Sequence, residues 1–209
     1  MTEDWLARWR EGRIGWHEPD GNAALKAFWP ELPARSRVLV PLCGKTTDML
    51  WLAEQGFNVT GVELSPIACV DFFEDQDIEY VVHDAGEFDC FESVELPIRI
   101  YCGDYFDFHG EPFDALYDRG SLVTFPERER DNYVAHTKTL LADNARQLLL
   151  TLEYEQSAVD GPPWSVPADE VQRHWPGLCK VANRNDIDDS PPKFRSAGLT
   201  EFFEVAWLG

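Results

Sequence analysis

Short apolar runs rich in β-branched residues alternate along the chain with stretches whose apolar positions recur at a helical period. Val38 to Leu42 (VLVPL) is continuously apolar, the pattern of a strand covered on both faces. Thr46 to Gln55 changes period, with Met49, Leu50, Leu52 and Ala53 forming one helical stripe, and Gly56 follows as a C′ residue. Asn58 to Leu64 returns to strand and carries the acid Glu63 at its end. Ser65-Pro66 then supplies an N-cap and a proline at the first helical position, and Ile67, Cys69, Val70, Phe72 and Phe73 make the next helix amphipathic.

The theme continues to the end of the chain. Residues 78 to 95 alternate poorly and predict only short irregular strands or loop. PIRIYCGDYFDF predicts a third strand ending near Asp104, and PFDALYDRGSLVTFP a fourth ending at Asp118 and Arg119. Pro126 opens a charged helix with Tyr133, Val134, Leu140 and Leu141 on its apolar side. RQLLLTLEYE predicts a fifth, buried strand, PADEVQRHW a helix, and LTEFFEVAWL a final strand. With no internal repeat and no low-complexity linker, this order argues for one doubly wound domain with a largely parallel sheet.

Composition narrows the function. A chain of 209 residues with 44% hydrophobic content suits one well-buried domain. A net charge of −20 and a pI near 4.4 would repel nucleic acid or an anionic membrane, and favour a small substrate. Such acidity also fits a salt-adapted organism. Five cysteines without a C-x-x-C pair point to free thiols in a reduced cytoplasm. The start MTEDWLARWREGR lacks the apolar core of a signal peptide, and no apolar run approaches a membrane span. The five histidines form no H-E-x-x-H or Cys/His cluster, so no metal site is predicted.

Ligands of open parallel sheets sit beyond the carboxyl ends of the strands, where an acid after the second strand takes ribose hydroxyls. Glu63 follows Gly44 by about 19 residues, near the spacing of roughly 20 for that role. The turn PLCGKT holds one glycine, against the three of a dinucleotide fingerprint, and a phosphate loop would need glycine where Leu39 stands. A nucleoside such as S-adenosylmethionine fits this turn better than a pyrophosphate. The plainer alternative is an α/β domain whose turn merely contains a glycine.

Other candidates fall at strand ends. Asp104 could accept from an adenine amine and Tyr105 pack on the ring, or Asp104 could simply cap a turn. Arg119 in YDRG could fork onto an anion, or pair structurally with Asp118. Trp5, Trp9 and Trp16 suit a docking face or a lid over a ligand. The proline-rich DGPPWSVP could wall a pocket or serve as a surface connection.

The run from Trp5 to His17, VLVPLCGKTTDMLWLAEQG followed by GVELS, YDRGSLV, LEYEQSAVDGPPWSVP and DSPPKFRSAGL occur in order over nearly the whole chain. Together they resemble the thiopurine S-methyltransferase family, especially its bacterial members, which are class I S-adenosylmethionine-dependent methyltransferases. PLCGK is the most specific of these motifs. The resemblance implies that Trp5 to Trp16 fold over the cofactor with Trp9 as the firmest contact. It also implies that Leu42 lies beside the methionine part, that Glu63 holds the ribose, and that Asp104 and Tyr105 lie on the adenine side. Arg119 matches an arginine near both cofactor and acceptor, where it would stabilise a thiolate or ring nitrogen. Trp16 stands where the family usually has Phe against the acceptor, and Trp164 is expected to line the same apolar slot.

The expected protein is therefore an α/β, Rossmann-like, doubly wound domain over residues 1–209, with a seven-stranded, mostly parallel sheet and helices on both faces. Residues 1–30 form an amino-terminal helical segment covering the cofactor site. The expected activity is in-line methyl transfer from S-adenosylmethionine to the sulfur of a thiopurine or another aromatic or heterocyclic thiol, leaving S-adenosylhomocysteine. Selenium or tellurium oxyanions or small thiols are alternative acceptors. A nicotinamide-dependent oxidoreductase and a non-enzymatic cofactor-binding protein are more remote alternatives. A cytoplasmic monomer acting on a small molecule, without nucleic-acid or membrane partners, completes the expectation.

Overall fold

A computed structural model describes residues 4–209. Two short helices come first, α1 (Trp5–Arg10) and α2 (Ala23–Phe28), each begun by a side chain that accepts a free backbone N–H. Asp4 accepts from Ala7 at 2.9 Å and Asn22 from Ala24 at 2.8 Å. The expected βαβ unit follows as β1 (Arg37–Pro41), α3 (Asp48–Glu54) and β2 (Asn58–Glu63). Gly56, at φ 90°, ends α3 in the left-handed conformation that glycine adopts without strain. Its N–H and that of Phe57 reach the Ala53 and Leu52 carbonyls. Helix α4 (Pro66–Asp75) starts at Ser65, whose hydroxyl accepts from Ala68, and buries Ala68, Cys69, Phe72 and Phe73.

The chain continues through β3 (Tyr80–Asp84), β4 (Asp89–Ser93), β5 (Ile98–Cys102), β6 (Phe113–Arg119), α5 (Glu127–Thr139) and β7 (Leu141–Glu153). It ends with α6 (Ala168–His174), β8 (Cys179–Asn185), α7 (Pro192–Ser196) and β9 (Phe203–Leu208). One sheet contains all the strands in the order β3, β4, β5, β2, β1, β6, β7, β9, β8. The central five, β5 to β7, are mutually parallel, and only β4 and β9 run against them.

Among the described residues nine strands replace the expected seven. The hairpin of β3 and β4 extends the sheet beyond β5, in the stretch whose alternation is poor. Edge strand β3 leaves Val81 and Val82 exposed, so no burial pattern marks it in the sequence. The opposite edge, β8, is almost wholly exposed for the same reason and carries no apolar face.

The continuous apolar runs reflect burial on both faces. Val38 and Val40 pack with α2, α3 and α4 through Leu25, Met49, Leu52, Phe72 and Phe73. Leu39, between them, packs on the other face with Tyr133, Val134 and Val171 of α5 and α6. Leu148 and Leu150 likewise face one layer and Leu149 the other. Helices cover both sides, and the chain reverses its order of strands at β1, which puts the switch point beside the turn after that strand.

Candidate cofactor and acceptor site

The turn after β1 is the strained part of this edge. Leu42 has φ 44° and Gly44 φ 54°. For leucine the left-handed region costs of order 1–2 kcal/mol, a cost that surrounding structure must hold in place. At Gly44 a Cβ would stand 3.2 Å from Cζ2 of the buried Trp9. The lone glycine thus serves the turn and the close approach of the tryptophan.

Glu63, at the end of β2, is buried and bridges that turn to the next helix. Its Oε2 accepts from the Gly44 N–H and its Oε1 from the Ser65 N–H, both at 2.8 Å. Burial raises its pKa above the ordinary carboxylate value, and the N–H groups of Ser65, Gly44 and Leu64 oppose that rise. Next to this acid, Leu64 and Ile67 are large apolar side chains left 44% and 38% exposed. Ile67 carries the apolar period expected of α4 but stays outside its buried face, and Leu64 stands out in sequence only as an apolar residue at the mouth of a strand. Lys45 is turned away from any phosphate role, with Nζ 2.7 Å from Asp75 and 3.2 Å from Asp71 on α4.

The three expected tryptophans come together. Trp16 meets Trp5 and Trp9 edge-to-face, with centroids 5.3 and 6.0 Å apart, and the Arg8 guanidinium lies over Trp5 and Trp16. Arg119, at the end of β6, donates from Nη1 to the Trp16 carbonyl at 2.7 Å and pairs through Nη2 with Glu18. Burial works against its charge, but Glu18, with Tyr117, Asp48 and Glu204, raises its pKa above the ordinary arginine value. The Asp118–Arg119 pairing weighed as an alternative does not form. Neighbours on a strand leave by opposite faces, and Asp118 instead accepts from the Tyr133 hydroxyl at 2.7 Å.

Asp104 is exposed and caps the 3₁₀ turn Tyr105–Asp107, accepting from Phe106 at 2.9 Å. That turn sends the next side chain inward. Tyr105 is buried beneath α5 with its hydroxyl 3.0 Å from that of Thr137, so its ring packs in the core rather than along the strand ends. The expected stacking of this ring on adenine is corrected accordingly, and Asp104 is the exposed member of the pair.

Trp164 stands on a different wall. Its backbone N–H donates at 2.7 Å to the Val123 carbonyl, in the 3₁₀ turn Leu122–Thr124 just beyond Arg119, and its ring covers Gly161, where no Cβ would fit. The loop is pinned by Tyr154, which donates to Pro163 at 2.7 Å, and by Arg130 of α5, which donates to Ser165 at 2.9 Å. Sequence reasoning passed over Glu18, Asn22 and Asp48, which tie the amino-terminal segment to the sheet. Asp48 looks in sequence like any acid in a first helical turn.

The strand order reverses at β1 and antiparallel β9 lies beside β7, the class I S-adenosylmethionine-dependent methyltransferase fold, and an acid closes β2 beside the turn after β1. The 1,6-didemethyltoxoflavin N1-methyltransferase of Burkholderia thailandensis, solved with S-adenosylhomocysteine, shares it with a TM-score of 0.61 at 19% identity, over 98% of this chain and 85% of that one. The thiopurine S-methyltransferase family profile matches residues 1–208. The thiopurine S-methyltransferase of Bordetella petrii is 43% identical over 207 residues, covering 96% of this chain and 94% of its own. That of Photobacterium profundum is 41% identical over 211 residues, covering 99% and 97%. The chain belongs to the thiopurine S-methyltransferase family.

Proposed function

We propose that the protein methylates the sulfur of a thiopurine or related aromatic or heterocyclic thiol, with S-adenosylmethionine as donor. The observation that carries this is the grouping of Glu63, the Gly44 turn, Trp9 and Arg119 at one strand-end edge in a chain of this family. Glu63 accepts two backbone N–H groups and keeps further lone pairs for ribose hydroxyls, and exposed Leu64 beside it offers an apolar seat for a base. The residues fit a nucleoside.

When bound, the sulfonium supplies an already activated methyl group. Around it Glu63 would hold the ribose, Leu42 would border the methionine part, Asp104 would take the adenine amine, and Trp5 and Trp9 would exclude water. Trp16 and Trp164 would flank the acceptor ring and orient its sulfur toward the donor. Arg119 keeps its charge and stabilises the thiolate left when the acceptor's proton passes to solvent. The protein works as a cytoplasmic monomer on a small molecule. Among the described residues no helix is long and apolar enough to cross a membrane.

The test is incubation with methyl-deuterated S-adenosylmethionine and mercaptopurine, followed by mass spectrometry. Labelled S-methyl product is expected. Its absence from protein that still binds the cofactor would overturn the thiopurine acceptor and turn the search to small thiols, selenite or tellurite.

A further inference from the structure

Asp48 is 1% exposed at the first position of α3 and lies outside the residues proposed to touch cofactor or acceptor. Its Oδ1 accepts from the backbone N–H of Asn22 at 2.7 Å and its Oδ2 from the Tyr117 hydroxyl at 2.8 Å. Gly21 is shaped to the same carboxylate, with φ 71° and space so tight that a Cβ would lie 2.7 Å from Oδ1. Three distant parts of the chain meet here: the end of the tryptophan-bearing segment, the helix after the Gly44 turn, and β6 two residues before Arg119.

A buried carboxylate is costly to desolvate, and capping α3 would not require one. What this carboxylate does is hold the Asn22 N–H with Oδ1, while the Tyr117 hydroxyl satisfies Oδ2. The neighbouring contacts run the same way: the Asn22 amide donates to Glu18 at 3.2 Å, and the Thr47 hydroxyl reaches the Glu18 carbonyl at 3.5 Å. Glu18 in turn pairs with Arg119.

We propose that Asp48 is a positioning residue for cofactor binding: it anchors the trailing end of the segment that Arg119 holds at Trp16 and Glu18, and so keeps Trp9 over the Gly44 turn. This rests on the proposal that residues 5–16 cover the cofactor. Asp48 acts through Asn22 and Trp9, without touching the ligand.

The test measures S-adenosylhomocysteine affinity by titration calorimetry and its dissociation rate by stopped-flow tryptophan fluorescence, well below each variant's melting temperature. Asp48→Ala is expected to weaken binding about tenfold, mainly through faster dissociation. Asp48→Asn keeps an oxygen for the Asn22 N–H and should recover most of the affinity. Gly21→Ala leaves Asp48 in place but crowds Oδ1, and should also weaken binding; it carries the test if Asp48→Ala does not fold. Tyr117→Phe removes only the strand-side bond and should lower the melting temperature while leaving affinity within about twofold.

If Tyr117→Phe weakens binding as much as Asp48→Ala, the network is merely structural and the proposal is overturned. Trp9→Ala separates the two levels of the argument. Weak binding by Trp9→Ala, with Asp48→Ala and Gly21→Ala like wild type, would overturn the positioning role and keep the covering segment. Wild-type binding by all three would overturn both.

Discussion

Arg119 and Glu18 join the end of β6 to the amino-terminal segment, the guanidinium pairing with the carboxylate while also donating to the Trp16 carbonyl at 2.7 Å. The cation proposed to face the acceptor therefore also fixes the segment carrying Trp16, so acceptor chemistry and closure of the site share one side chain.

Arg119→Lys should separate charge from fork. Lysine keeps a cation but cannot serve both partners in the same planar geometry. The expected result is a loss of roughly ten- to a hundredfold in acceptor kcat/KM, together with faster tryptic cleavage at Arg8, Arg10 or Arg13 as the segment loosens. Steady-state kinetics and a proteolysis time course check both. Unchanged cleavage would mean that the Trp16 and Glu18 contacts do not hold the segment.

Gly44→Ala should harm the turn in two ways. A φ of 54° is unfavourable for any residue with a Cβ, and the new methyl would press on Trp9 at 3.2 Å. A destabilisation of about 1–2 kcal/mol is expected. Cofactor affinity should fall by more than stability alone explains, because Trp9 must move. Thermal melts with and without S-adenosylhomocysteine measure both, and a ligand-induced shift equal to that of wild type would exclude the second effect.

The glycine between β1 and α3 was legible because it interrupts two strong patterns, a doubly buried strand and a helical stripe. Glu63 was legible from its distance to that glycine. Tyr105 was not, because sequence places a residue after a strand but does not say which way a capped 3₁₀ turn sends its ring. The hairpin of β3 and β4 was legible only as short irregular strands or loop, because edge strand β3 lacks the one-sided burial that writes an alternating pattern. Asp48 and Asn22 escaped for another reason. Asp48 has its partners Tyr117 and Asn22 at 69 and 26 residues, and each of Asp48 and Asn22 alone has an ordinary local use as a helix-start acid or a cap.

Asp118 should write itself into the pH dependence of stability. Burial pushes its pKa from 3.8 up to about 6, against the opposing hydrogen bonds from Tyr133, Leu122 and Ser121. The folded state therefore holds this proton more tightly than the unfolded chain. Its contribution to stability is fully present below about pH 3.8 and is lost as pH rises through about 6. The span is about 3 kcal/mol at most. Asp118→Asn removes the titration, so urea unfolding between pH 4 and 7 should show a flatter profile in the variant than in wild type. Parallel profiles would place the pKa of Asp118 near its ordinary value.

Arg130 and Glu170 form an ion pair at 2.5 Å, with side chains 2% and 5% exposed, and this pair supports the loop that carries Trp164. Arg130 also donates to the carbonyls of Phe125 and Ser165 at 2.9 Å, while burial lowers its pKa against the opposing pull of Glu170. Glu170→Gln would leave a buried cation poorly compensated, with an expected loss of about 3–5 kcal/mol. Replacing both partners, Arg130→Met with Glu170→Leu, should restore much of that stability, since apolar side chains of similar volume often match a buried pair. It cannot restore the hydrogen bond to Ser165. The double variant should therefore fold well and still show a several-fold higher acceptor KM, with S-adenosylhomocysteine affinity within about twofold of wild type. If KM returns to the wild-type value together with stability, the loop is held by packing alone, and Arg130 has no part in placing Trp164.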